Sequence, residues 1–370
     1  MPDFLNDAQR DIQQRAHSLG RQVASLDTDS LEAHQIESET RALSKQAGIY
    51  LLTQPAEFGG TAGTSLDLTI AREALGACGV SHLPGLFGPM PGLLAQASDH
   101  VRNKFLGPYL AGEAKGGFGF TEPPDAERHT WARDEGDHLV VNGHKSYVTG
   151  GSHADFINTL VELENVGPAM VVIETNSPGV QIIRRFGSLD GTHHASFSFT
   201  DVHVPREHLI GEAGAGMKRA LDQVSAVRMA IAADSLGQCS FVCDVVAEHL
   251  EQGRSSETDT GSDQAGRVQF GRMRSQSYAV RSAVYRTARL VDAEENAVNE
   301  VMASKVLATE TLNLLVDVAI QIIGGEALVD SHPLASLFRR ARATRLAEGP
   351  TDVLHANIAR GYLDLHLGRI

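Results

Sequence analysis

"GDHLVVNGHKSYVTGGSHADF", residues 136–156, decides the fold. An apolar run, Leu139 to Val141, meets Asn142-Gly143 and is followed by a second run ending in Tyr147, Val148 and Thr149. Asn-Gly between β-branched and aromatic residues is a strong hairpin signal, because both positions accept a positive φ at little cost. The stretch predicts two strands, and more follow. "AMVVIET" (169–175), "GVQIIRRF" (179–186) and "ASFSFTDVHVP" (195–205) are short and rich in β-branched or aromatic residues. The last alternates, with Phe197 and Phe199 on one face. Residues 116–212 thus read as a small β domain.

Outward from this block the period changes to helical. In residues 1–115, Phe4, Ala8, Ile12, Ala16, Leu19 and Val23 recur at helical spacing. Ser30 stands where it can cap a second helix carrying Leu31, Ile36 and Leu43 to Ala47, and Ser65 where it can cap a third with Leu66, Ile70, Ala71, Ala74 and Leu75. "LTQPAEFGG" (52–60) and "LPGLFGPMPG" (83–92) read as loops. In residues 213–370, "GMKRALDQVSAVRMAIAADSLGQCSFVCDVVAEHL" (216–250) predicts a long helix without proline. Further helices are expected over about 267–292, 294–323, 332–345 and 348–366. "EQGRSSETDTGSDQAG" (251–266) is polar and predicts an exposed interhelix loop. Helical, β, helical in one chain predicts an α+β protein of three domains: an N-terminal helical domain, a middle β-barrel domain and a C-terminal four-helix bundle.

Composition narrows the function. Of 370 residues, 42% are hydrophobic and 21% charged, which is ordinary for a globular chain. The net charge of -14 supplies no basic stripe for a phosphate backbone, so no nucleic acid is expected as partner. Cys239 and Cys243 lie four apart on one helix face, and with Cys78 read as buried thiols suited to a reducing compartment. The N-terminus "MPDFLNDAQRDIQQ" has no signal-type apolar core, and no apolar run is expected to approach membrane-spanning length, which predicts a cytoplasmic protein. His193 and His194 are strand neighbours that point to opposite faces, so no metal site is read there.

Four stretches carry candidate chemistry. "FTEPPDAERHTWARDEGD" (120–137) opens like a ligand-binding loop with Thr121, Glu122 and Pro123, then continues charged where glycine and serine would let a backbone approach an anion. In "RLAEGPTDVL" (345–354), Glu348 falls between two helices; it is either a helix-start carboxylate favoured by the macrodipole or a general base in an apolar setting. "QIIGGEAL" (321–328) ends an apolar helix in Gly324-Gly325, a C-cap or a place for a ligand to approach the backbone. Arg228 interrupts the apolar face of "VSAVRMAIAA" (224–233) and needs an anionic partner if buried.

Together these stretches resemble the acyl-CoA dehydrogenase family, collinearly over nearly the whole chain. The resemblance is carried by "GIYLLTQPAEFGG" (48–60), "LAGEAKGGFGFTEP" (110–123), the 136–156 stretch, "FTDVHVPREHLIGEAGAGMKRAL" (199–221), "QIIGGEAL" and "RRARATRLAEGPTDVL" (339–354). It implies a helical, β-barrel, helical-bundle fold with bound FAD, and oxidation of an acyl-CoA thioester at its α and β carbons. A glutamate removes the α-proton while flavin N5 takes the β-hydride. Electron-transfer flavoprotein is the implied acceptor, and a homo- or heterotetramer the implied assembly. Position by position, the resemblance implies Glu348 as the base and Arg228 as its supporting arginine. It puts Phe120 and Thr121 at the isoalloxazine ring, Thr149 at its N5 side and Tyr147 in place of a common tryptophan. Gln321, Gly324 and Gly325 fall on the stretch that reaches a neighbouring subunit's FAD, and Arg254 on an arginine of that contact.

The departures all concern FAD. "PDAERHTWA" (124–132) replaces the family's glycine- and serine-rich pyrophosphate cradle and is a few residues shorter, with Arg128 and Arg133 as replacement cations. Glu257 stands where an adenine-stacking aromatic belongs, and Pro350 where the family often has threonine. Three readings follow: a flavoenzyme that holds FAD differently; one subunit of a mixed assembly, as in steroid side-chain breakdown, with FAD shared with or held by a partner chain; or a scaffold that has lost the flavin.

Overall fold

The structure, a computed structural model, describes residues 4–28, 30–253, 261–366 and 369–370. Along the chain run helices α1 (Asp7–Ala24), α2 (Ala33–Gln46), α3 (Ser65–Ala77), α4 (Asp99–Val101) and α5 (Gly107–Ala111). Seven strands follow: β1 (Gly116–Gly119), β2 (Trp131–Asp134), β3 (His138–Thr149), β4 (Phe156–Leu163), β5 (Gly167–Glu174), β6 (Val180–Gly187) and β7 (His193–Pro205). The chain ends in α6 (Gly216–Gly253), α7 (Gly261–Asp292), α8 (Val298–Ile323), α9 (Pro333–Thr344) and α10 (Thr351–Leu363). These elements form two compact units, residues 1–88 with 225–370, and residues 89–224. Its layout is N-terminal helices, a central β half-barrel sheet and a C-terminal helical domain.

In the helical unit, α1 buries Ile12, Ala16, Leu19 and Val23 of the predicted stripe against α3, whereas Ala8 is exposed and Phe4 lies before the helix, fully exposed. The caps differ from expectation. Glu32, not Ser30, stands at the N-cap of α2 in a capping box with Gln35. Thr64, not Ser65, caps α3, its hydroxyl accepting from the Asp67 amide; the freed Ser65 and Leu66 amides donate to the Asp292 carboxylate at 2.6 and 3.0 Å. A second core gathers Cys239, Cys243, Val246, Leu312, Leu315 and Leu337. Each such buried leucine contributes roughly 1.5–3 kcal/mol. α7 takes over at Gly261, inside the predicted interhelix loop, of which residues 254–260 lie outside the described ones.

One further expectation is corrected. Within α6 and α8 there are stretches long and apolar enough to cross a membrane by length and composition, where none is expected from the sequence. Their apolar residues supply much of the helical unit's core, Leu236, Cys239 and Val246 from α6, Leu312 and Leu315 from α8, all fully buried.

In the β unit the order is β1-β4-β2-β3-β7-β6, with β5 on the other edge of β4. The Asn142-Gly143 hairpin does not form. β3 runs straight through it and pairs with β7 on both sides, with a register break between Val141 and Gly143. The Asn142 side chain explains this: its Nδ2 donates to Asp201 Oδ1 at 3.1 Å and its Oδ1 accepts from the Asp201 amide at 2.9 Å. The break is a bulge whose extra residue lies on β7, where Thr200 and Asp201 face Asn142 alone; Asp201 takes a positive φ of +47°, and Gly143 beside Asn142 one of +136°. A second break lies between Lys145 and Val148.

β1 and β2 lie along the same edge of β4, both parallel to it. Gly119 pairs with Thr159 and Trp131 with Glu162, so only Leu160 and Val161 of β4 separate them. Residues 120–130 are therefore an excursion from a single line of strand. That excursion is the loop singled out in the sequence.

Candidate active site

Glu348 sits in the short turn joining α9 to α10. Its φ is +52° and that of Gly349 is +113°. For a residue with a Cβ, left-handed backbone costs on the order of 1–3 kcal/mol and persists only where the surroundings enforce it. The surroundings here are two cations. Arg228 Nε, on α6, donates to the Glu348 carbonyl at 2.8 Å. Lys305 Nζ, on α8, donates to the Gly349 carbonyl at 2.9 Å and the Arg345 carbonyl at 3.2 Å. A Cβ at Gly349 would lie 2.9 Å from Leu354 Cδ2 and 3.3 Å from Arg228 Nη2, so the glycine is needed for contact as well as for φ. Leu354, Met302 and Val306 form the apolar floor.

All three hydrogen bonds go to backbone oxygens. The Glu348 carboxylate is half-buried and has no hydrogen-bond or ion-pair partner among the described residues. Burial raises its pKa above the ordinary glutamate value, and the Arg228 and Lys305 charges oppose that rise without cancelling it. Burial likewise lowers the Arg228 pKa, against the pull of Glu348. A partnerless carboxylate with a raised pKa on a rigid turn is suited to accept a proton near neutrality. The structure thus brings Arg228 and Glu348 together. Lys305 was missed in the sequence, though it interrupts the apolar run of α8 as Arg228 interrupts that of α6.

In the β unit, the opening of the 120–130 loop joins β3. The Ser146 amide donates to the Thr121 carbonyl at 2.9 Å. At this point β3 carries one extra residue relative to β7, which turns Tyr147 and Thr149 outward while Lys145 and Val148 stay inside. Tyr147 is 59% exposed and packs edge-on against Phe186, with ring centroids 4.9 Å apart, and near His194 at 5.6 Å. The Thr149 hydroxyl lies 3.2 Å from His194 Nδ1, and the Thr121 side chain is exposed. Phe120 stacks on Phe118 with centroids 5.9 Å apart. An exposed aromatic surface edged with hydroxyls and an imidazole is chemically suited to a flat heteroaromatic ring, so the residues fit the isoalloxazine of FAD.

The second half of the loop is different. Glu122 Oε1 accepts from Lys145 Nζ at 2.6 Å and from the Thr130 amide at 2.8 Å, while His129 bonds its other oxygen. Lys145 is only 1% exposed and also reaches the Phe120 carbonyl at 3.4 Å. Burial alone would raise the Glu122 pKa, but Lys145, His129 and the Thr130 amide together hold it down at about 2. Burial lowers the Lys145 pKa despite Glu122. Glu122 therefore closes the loop upon itself. Arg128 is paired with Glu164 at 3.0 Å and lies over the Trp131 ring, and Arg133 is paired with Glu135.

The remaining predicted residues stand apart. Gln321, Gly324 and Gly325 are exposed at and just beyond the C-terminal end of α8, Gln321 roughly 24 Å along the helix from Lys305 at 1.5 Å per residue. Gly324 has φ +86°, and space around both glycines is open. Arg254 and Glu257 lie outside the described residues. No group of histidine, cysteine, aspartate and glutamate able to hold a metal occurs among the described residues.

Comparison with known proteins bears on this geometry. Residues 214–363 match the model of the acyl-CoA dehydrogenase C-terminal domain. The chain is 27% identical over 334 residues to a 3-(aryl)acrylate reductase of Clostridium sporogenes, covering 86% of this chain and 88% of that one. It is 26% identical over 336 residues to the human mitochondrial short-chain specific acyl-CoA dehydrogenase, covering 86% and 81%. A probable acyl-CoA dehydrogenase from Mycobacterium abscessus superposes with a TM-score of 0.83 at 27% identity, over 96% of this chain and 98% of that one. Among similar proteins, PigA has been solved with FAD (22% identity, TM-score 0.81, 97% and 98% coverage). CarC of Acetobacterium woodii is a subunit of a caffeyl-CoA reductase–Etf complex (25% over 321 residues, 83% and 84% coverage). The chain thus matches the acyl-CoA dehydrogenase C-terminal domain over residues 214–363 and is similar, over most of its length, to acyl-CoA dehydrogenases and related reductases.

Proposed function

We propose that the protein dehydrogenates an acyl-CoA thioester between its α and β carbons, with Glu348 as the base. The observation that carries this reading is the Glu348 carboxylate itself: without a partner, raised in pKa, and presented by a backbone that Arg228 grips at the glutamate's own carbonyl. An α-proton beside a thioester is weakly acidic, so its removal needs a base whose pKa has been moved toward the working pH. The arginine acts on the backbone and so orients the carboxylate without hydrogen-bonding it. Phe120, Thr121, Tyr147 and Thr149 are the residues proposed to hold the flavin ring. When bound, FAD supplies the two-electron acceptor of the reaction. Gln321, Gly324, Gly325 and Arg254 are proposed to reach the FAD of a neighbouring subunit in a tetramer, and electron-transfer flavoprotein is the proposed onward acceptor.

A second reading concerns which chain holds the FAD phosphates. Both arginines of residues 124–135 are engaged by carboxylates of this chain, Arg128 by Glu164 and Arg133 by Glu135. That favours a mixed assembly in which a partner chain supplies the phosphate contacts. The visible spectrum of the purified chain separates the readings. Yellow protein with about one flavin per chain, by the one-site binding expected of a dedicated pocket, supports flavin held by this chain alone. Colourless protein that becomes yellow with a co-expressed homologue supports the mixed assembly. Protein that stays colourless in every pairing, with no turnover, overturns both. Independently, turnover retained by Glu348→Gln would overturn the base assignment.

A further inference from the structure

Lys305 lies in the N-terminal third of α8 and is fully buried, with Met302, Val306 and Ala308 buried beside it. A buried ammonium must find partners. Lys305 has no carboxylate in ion-pair contact among the described residues, and its two bonds go to the carbonyls of Arg345 and Gly349. Arg345 is the C-cap of α9, where carbonyls lack partners within the helix. Gly349 directly follows Glu348. The two bonds therefore bracket the left-handed residue on both sides, while Arg228 takes the carbonyl between them. An apolar side chain in this place would stabilise the helix packing equally well or better. A buried lysine whose two hydrogen bonds both go to backbone oxygens around one residue has the geometry of a device for that residue.

We propose that Lys305 is a positioning residue for Glu348, its ammonium holding the turn at Arg345 and Gly349 so that the carboxylate stays presented and keeps a cation nearby. The inference rests on the reading of Glu348 as the base. The charged groups facing Glu348 are Arg228 from α6 and Lys305 from α8. Those facing Lys305 are Arg228, Glu348, Arg345 and Glu310. Burial, reinforced by Arg228, brings Lys305 down to about 8, so its charge is fully present below that pH and is lost as pH rises through it. Losing that charge removes one of the two opponents of the rise in Glu348, whose pKa then climbs further.

The test compares Lys305→Met, Lys305→Gln and Lys305→Arg with the unchanged protein. Methionine removes donors and charge, glutamine keeps donors without charge, and arginine keeps both. The first readout is the titration of the Glu348 carboxyl by carbon NMR of glutamate-labelled protein, assigned by its absence in Glu348→Gln; it needs neither flavin nor substrate. The expected result is a Glu348 pKa displaced upward by about half a unit or more in the methionine and glutamine variants and not in the arginine variant. Hydrogen exchange of the amides of residues 346–349 and 351 should quicken about tenfold in the methionine variant and stay near the original in the glutamine variant. With octanoyl-CoA as probe, kcat should fall about tenfold in the methionine variant with KM nearly unchanged, and the acid limb should follow the NMR titration. An unaltered Glu348 titration in Lys305→Gln overturns the proposal, and this variant, which keeps polar donors, decides the matter if Lys305→Met does not fold. If Glu348→Gln keeps turnover, the base assignment fails, and the NMR and exchange readouts still decide whether Lys305 holds the turn.

Discussion

Two glutamates in this chain lie next to a buried lysine, and the chain uses them in opposite ways. In the β unit, Lys145 bonds the Glu122 carboxylate directly at 2.6 Å, so the acid is pinned and held at about 2. In the helical unit, Lys305 bonds the backbone around Glu348 and leaves its carboxylate without a bond, so burial prevails and the pKa rises. The ingredients are the same, an acid, a lysine and an apolar surround. What differs is the atom to which the lysine donates. A donor on the carboxylate makes a structural clasp, and a donor on the adjacent carbonyls makes a presented base. Proximity of opposite charges is thus insufficient to classify a site.

The largest expected effect on this contrast is kinetic. Glu348→Gln should lower turnover by roughly 10²–10⁴-fold, the range for losing a general base, while Glu122→Gln should lower it only as far as it loosens the loop. Steady-state rates with equal flavin loading check both. Next in size is the clasp itself. Lys145→Met leaves Glu122 with no cation at its buried side and should cost about 3 kcal/mol, the lower end for breaking a buried pair, read by denaturant unfolding. A melting temperature unchanged by that substitution would show that the clasp contributes nothing.

Smaller still is an effect of sign. Glu122 has a folded pKa below its unfolded value, so its stabilisation is complete above about 4.5 and is lost as pH falls towards about 2. Glu348 has a folded pKa above its unfolded value, so its ionisation lowers stability as pH rises through that window. At neutral pH, Glu348→Gln should therefore raise the melting temperature and Glu122→Gln should lower it. The same sign in both variants would break the contrast. The smallest effect is expected at Arg128, which is half exposed in its pair with Glu164. Arg128→Ala should change stability by no more than about 0.5 kcal/mol. A large loss of FAD affinity in that variant would instead place the phosphates on this chain.

The two regions were unequally legible in the sequence. The stripe of α1, the long α6 and the alternation of β7 were readable because one local period encodes each of them. The passage of β3 straight through Asn142-Gly143 was not, because a positive φ is common to tight turns and to irregular strands, and the choice rests on the β7 bulge at Asp201, 59 residues away in the chain. Glu348 was recognisable from its place between two helices, but the conformation that presents it comes from Arg228 and Lys305, both distant in sequence. The same limit hid the role of Glu122. Its loop looked open because nothing near it in sequence marks Lys145 as the partner. Local pattern finds the acids, and tertiary donors decide what they do.

The placement of β1 and β2 end to end along β4 has a consequence for how this protein can change. The sheet is indifferent to the length of the excursion between them, since the strand line resumes at Trp131 wherever the loop has been. Lengthening such a segment is entropically cheap, about 0.6 kcal/mol per doubling. The Glu122–Thr130 bond closes the segment just before that resumption. The stretch between Glu122 and Thr130 is in effect a replaceable cassette, open to insertion or deletion that leaves the Lys145–Glu122 pair and the strands on either side in place.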